Sequence, residues 1–154
     1  MALESKDVKK LQTNLSSIRK IAGWTTQDLG KKIGVTKQTI SNLENQKTEM
    51  TVTQYIAIRT VLDYEIANNR ENELLAQVVP LLLDIPRENI NEDDNSKVNQ
   101  VVATIAAAAA GGMARSTLVA ISAGLFGGIP GLNAMGAAIR TTSWLKKLME
   151  NKQE

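Results

Sequence analysis

The chain has 154 residues, 43% of them hydrophobic and 22% charged, with a formal net charge of +2 and neither cysteine nor histidine. This composition removes disulfides, thiolate chemistry, the usual zinc ligands and an imidazole base, so no enzyme is expected and no catalytic residue, metal or cofactor is assigned. The length suits one domain of about 100 to 150 residues or a small domain with an accessory module.

The small net charge conceals an uneven distribution. Residues 6 to 47 carry nine Lys or Arg against three acids, residues 67 to 97 carry three against seven, and residues 98 to 154 carry five against two. The first block has the electrostatics of a polyanion binder, although a basic helix face is more often only solvated. The N-terminus, Met1 to Asp7, has charges where a signal peptide would need an apolar core, so a cytoplasmic chain is expected.

Strand-like alternation is scarce throughout, which predicts an all-α fold. Leu11, Leu15, Ile18 and Ala22 fall at i, i+4, i+7 and i+11 and define a first amphipathic helix, which Gly23 can close in the left-handed conformation. One helix-start pattern then recurs. Thr25 is followed three residues later by Asp28, and Thr51 by Gln54, making two capping boxes, while Thr36 is a third cap without the returning side chain. Each cap lies inside an apolar staple: Trp24 with Leu29, Val35 with Ile40, Met50 with Tyr55. Helices are therefore expected to start near residues 26, 37 and 52. A plain helical bundle would satisfy these signals as well.

The connection between the second and third of these helices is more specific. Gly34-Val35-Thr36 is a three-residue turn in which Gly34 can take positive φ and Val35 can plug the angle between two steeply crossing helices. Gly30, one turn earlier, allows the helices to approach closely. The stretch from Trp24 through Thr25-Thr26-Gln27-Asp28-Leu29-Gly30 and Gly34-Val35-Thr36-Lys37-Gln38 to Glu44 resembles the Cro and lambda-repressor-like, or xenobiotic-response-element, family of DNA-binding proteins. The resemblance covers about residues 11 to 62. It implies a helix-turn-helix whose third helix lies in the major groove of double-stranded DNA. The family prefers Ala where this chain has Gly30, Gln where it has Thr26, Gly near Gln46 and Pro near Glu49 or Met50. The change at Gly30 is expected to be harmless.

With Val35, Ile40 and Leu43 turned inward, the outward stripe of the third helix is Lys37, Gln38, Ser41, Asn42 and Asn45. Lys37, Gln38, Ser41 and Asn42 are the candidates for base readout, Gln38 first, since an amide can pair bidentately with adenine. Thr26, Gln27, Thr36, Asn45, Lys47 and Thr48 are the candidates for phosphate contact. An acid at Glu44 more often braces the first helix in this family, which makes Arg19 its expected partner.

Three regions are expected: a DNA-binding domain over 8–66, a helical segment and acidic linker over 67–96, and an Ala/Gly-rich helical self-association module over 97–150. Family members usually act as dimers, so pairing of subunits, as a homodimer or higher homo-oligomer, is assigned to Leu75, Val78 and Val79 and to the small-residue stripe Ala120, Gly124 and Gly128. An apolar-rich helical stretch from about Ile66 to Leu83 is expected to be interrupted at Pro80, with Asp84 to Ser96 after it as the linker. The 24 uncharged residues between Arg115 and Arg140 also raise a membrane span, against which Gly127, Gly128, Pro130 and Gly131 count. The function expected is a transcriptional regulator of repressor type. The alternatives are a membrane-tethered regulator of the same type and an antitoxin or other protein-binding helix-turn-helix.

Overall fold

The computed structural model describes residues 5–69, 73–84 and 91–127, and among these every regular element is helical. The first helix, α1 (Ser5–Ala22), begins ahead of the expected stripe, so Val8 joins Leu11, Leu15, Ile18, Ile21 and Ala22 in its buried face. Gly23 ends it at φ 81°. Trp24 N–H donates to Arg19 O (3.1 Å) and Gly23 N–H to Lys20 O (3.0 Å), which closes the exposed carbonyl end.

Helix α2 (Thr26–Ile33) starts from the predicted capping box. Asp28 N–H donates to Thr25 Oγ1 (3.0 Å), and Thr25 N–H to Asp28 Oδ2 (2.9 Å). The hydrogen bond from the Thr25 backbone, followed by that with its side chain, holds the Asp28 carboxyl below the usual range. Helix α3 (Lys37–Glu44) is capped by Thr36, whose hydroxyl oxygen accepts from Thr39 N–H at 3.1 Å. Helix α4 (Val52–Asn68) carries the second box, between Thr51 and Gln54. Its staple residue Tyr55 is buried, and burial pushes the phenol up to about 12.

The turn between α2 and α3 has the predicted glycine at φ 79°, with Val35 N–H donating to Gly30 O (2.9 Å). Gly30 permits the close approach expected of it: a Cβ there would stand 2.7 Å from Val35 O, so alanine in this chain would force the turn backbone to move.

Beyond Asn69 the chain forms α5 (Glu73–Val79), a π-turn over Pro80–Asp84, α6 (Glu92–Ala110) and α7 (Arg115–Gly127). Helix α1 is the shared element, packing against α3 and α4 and also against α5, the π-turn and α6. Val98, Val102, Ile105, Ala106 and Leu118 therefore join Leu11, Leu15, Ile40 and Leu43 in one hydrophobic core.

One expectation holds here and two change. The interruption at Pro80 is present: α5 ends at Val79 and a wider π-turn takes over, since proline lacks the N–H and crowds the carbonyl four residues back, and Leu81, Leu82 and Leu83 are buried there. The acidic stretch is not simply a linker. Asp84 pairs with Arg59 on α4, and Asn91 caps α6, accepting from Asp94 N–H at 2.7 Å, with Glu92, Asp93 and Asp94 in the first turn where the helix dipole favours negative charge. Residues 85–90 lie outside the described residues. Finally, Leu75, Val78 and Val79 are at most 1% exposed within the single chain. They fill its own core and are not available on its surface to pair copies.

Among the described residues, polar contacts at Arg59 and Arg115 join the extension to the N-terminal bundle. The fully buried Arg59 donates through Nη2 to Asp84 Oδ1 (3.0 Å) and Oδ2 (3.1 Å). Arg115, at the start of α7, donates to Ala22 O (3.0 Å) and so places a cation at the carbonyl end of α1. None of the described helices is long and apolar enough to cross a membrane. The stretch from Gly128 to Glu154, with Gly128 itself and the rest of the apolar tail, lies outside the described residues.

Candidate nucleic-acid interface

Helix α3 is held from behind and bare in front. Ile40 and Leu43 are fully buried, and Val35 packs partly against the same core. Arg19 of α1 braces the far end: its Nε and Nη2 donate to the two Glu44 carboxylate oxygens at 2.7 and 2.9 Å, a two-pronged, largely buried ion pair. Its Nη1 also donates to Trp24 O at 2.8 Å. One guanidinium thus ties together α1, the start of α2 and the end of α3. The partner expected for Glu44 is the one found.

The outward stripe is as expected, with Lys37, Gln38 and Asn45 exposed and Ser41 and Asn42 half-buried. Gln38 Nε2 donates to Asn42 Oδ1 (2.9 Å), while Asn45 Nδ2 donates to Ser41 O (3.0 Å). Gln38 retains its carbonyl oxygen and a second N–H, an acceptor and a donor side by side, which is the complement of the adenine edge in the major groove.

The phosphate candidates divide by what they already do. Gln27 is exposed and Thr26 half-buried at the start of α2, where the amide groups and the positive end of the helix dipole face outward. Thr36 already uses its hydroxyl oxygen as the α3 cap and shares a 3.0 Å contact with the Thr39 hydroxyl. Lys31 and Lys32 are exposed, Lys32 lying 4.9 Å from the centre of the Trp24 ring.

Lys47 and Thr48 are exposed on the loop from α3 to α4, and that loop is shaped by two residues. Gln46 takes a left-handed φ of 57°, where the family has glycine nearby. Lys47 N–H donates to Asn42 O (2.9 Å) and Gln46 N–H to Leu43 O (3.2 Å), the pair of bonds that reverses a chain at a helix end. Gln12 of α1 then grips the same loop from inside, and composition gave no warning of it. The signal was positional, since Gln12 is a polar residue one turn from Val8 and from Leu15 on the buried face.

A left-handed glutamine carries strain of about 1 to 2 kcal/mol, partly offset in a Gln46→Gly variant by about 0.5 to 1 kcal/mol of glycine chain entropy. Urea unfolding of Gln46→Gly is expected to show a small gain in stability. A loss would contradict the strain assigned to this turn.

A capped three-helix core, a glycine turn and an exposed polar third helix over a buried brace define a DNA-binding helix-turn-helix. The sequence model of the family described as Helix-turn-helix matches residues 15–67, and this segment is a helix-turn-helix domain of that family, of the xenobiotic-response-element type. The chain is also similar to Antitoxin HipB of Escherichia coli strain K12, 37% identical over 54 residues, which are 35% of this chain and 61% of that protein. The chain thus spans less than two thirds of the length of this relative. No solved structure matches.

Proposed function

We propose that the chain is a cytoplasmic, sequence-specific regulator that represses transcription by occupying a partly palindromic operator as a dimer or higher homo-oligomer. Lys37, Gln38, Ser41 and Asn42 read base edges in the major groove, and Thr26, Gln27, Thr36, Asn45, Lys47 and Thr48 hold the phosphates on either side. The observation that carries this reading is α3 itself: its apolar face is fully buried and its end braced by Arg19 and Glu44, while its amide stripe is left to the surface. A single module of this kind covers only about 600 to 1,000 Å², so tight selective binding calls for two copies. Of the residues assigned to that pairing, Ala120 and Gly124 are exposed on α7, and Gly128 lies outside the described residues.

Gln38→Ala is expected to weaken binding to the preferred site by about 1 to 3 kcal/mol and to relax preference at one base position. Titration of the variant against the preferred site and its single-base substitutions reads this. An unchanged base preference would remove Gln38 from the reading surface. A second reading, favoured by the similarity to an antitoxin, gives the helix-turn-helix a protein partner as well; that partner's binding would then be indifferent to Gln38→Ala.

A further inference from the structure

Gln12 makes three hydrogen bonds from one buried side chain, all to the backbone of residues after the reading stripe. Its Nε2 donates to Leu43 O (3.0 Å) and to Thr48 O (2.7 Å), and its Oε1 accepts from Met50 N–H (3.0 Å). Gln12 is only 9% exposed, and these contacts satisfy both of its amide donors and its acceptor oxygen. They span the end of α3, the middle of the loop and the residue ahead of the α4 cap. Between Leu43 and Thr48 lie Glu44, Asn45, the left-handed and strained Gln46, and the exposed Lys47. The loop has little apolar anchorage of its own, Met50 being its sole buried side chain.

We propose that Gln12 is a positioning residue for DNA binding: it touches no nucleic acid itself and sets the α3–α4 loop so that Lys47 and Thr48 meet a phosphate in register with α3. This rests on the DNA-binding function proposed above. A cation held at a fixed place on the surface contributes one counterion-releasing contact, whereas the same cation on a slack loop contributes less and at an entropic cost.

The test is a cycle between Gln12→Met, which keeps the volume and removes all three bonds, and Lys47→Ala, in the full chain on its selected DNA site. Gln12→Met is expected to weaken binding about three- to tenfold at moderate salt and to flatten the slope of log affinity against log salt by close to one contact, about 0.9. Lys47→Ala should cost as much in the parent chain but less than about twofold in the Gln12→Met background, and base preference should not change. Circular dichroism at the assay temperature establishes that the variant is folded. If it is not, Gln12→Glu, which keeps the acceptor for Met50 N–H and lacks the donors, takes its place. Full additivity of the two substitutions, or an unchanged salt slope, would overturn the positioning role alone. A parent chain with no salt-dependent binding to any selected site would overturn the DNA-binding reading, and this proposal with it.

Discussion

Replacing Asp84 with alanine is expected to cost about 3 to 5 kcal/mol, because it removes a carboxylate from a guanidinium that has no access to water. Arg59 is 0% exposed, and both Asp84 oxygens accept from its Nη2. The cost is that of taking a carboxylate away from a buried charge, which exceeds the net worth of the pair. Replacing Arg59 and Asp84 together by apolar residues of similar volume should therefore recover most of the loss. Urea unfolding of the single and double variants measures both effects. The pair joins α4 of the helix-turn-helix to the turn that follows α5, so the single variant should lower one cooperative transition. A loss below about 1 kcal/mol for Asp84→Ala would mean that the pair is solvated in solution, as exposed pairs of that strength are.

Leu75→Ala should be nearly as damaging, at about 2 to 5 kcal/mol, the range for deleting a buried leucine side chain. Leu75 is fully buried, in an α5 that packs against α1, α4 and α7. The fall in stability should be the same at low and high protein concentration, because the lost contacts lie within one chain. An unchanged unfolding midpoint together with weaker self-association would instead return Leu75 to the subunit interface assigned to it from sequence.

Where sequence and structure agree, the determining physics is local. Capping boxes, staples and a glycine with positive φ each involve residues within a few positions of one another, and all three helix starts at 26, 37 and 52 follow from them. The reading stripe was legible for the same reason, since one helix with Ile40 and Leu43 inward has only one outward face. The packing of the extension was not legible. Its apolar residues at 74 to 83 fit a subunit interface as well as a core, and only the partner surface on α1, far away in sequence, decides between them. The acids from 92 to 94 misled because a charged helix start and a polar linker have the same composition. Gln12 was hidden among apolar neighbours, and its partners lie more than thirty residues away.

Helix α3 is proposed to read sequence. The direct measurement is the affinity of the full-length chain for a site selected from random DNA, compared with its affinity for unselected DNA of the same length at physiological salt. The selected site is expected to bind at least about a thousandfold more tightly, the lower end of the ratio seen for specific DNA-binding proteins. Equal affinity for both would contradict sequence-specific recognition, and would leave the basic N-terminal block as a surface that binds polyanions without reading them.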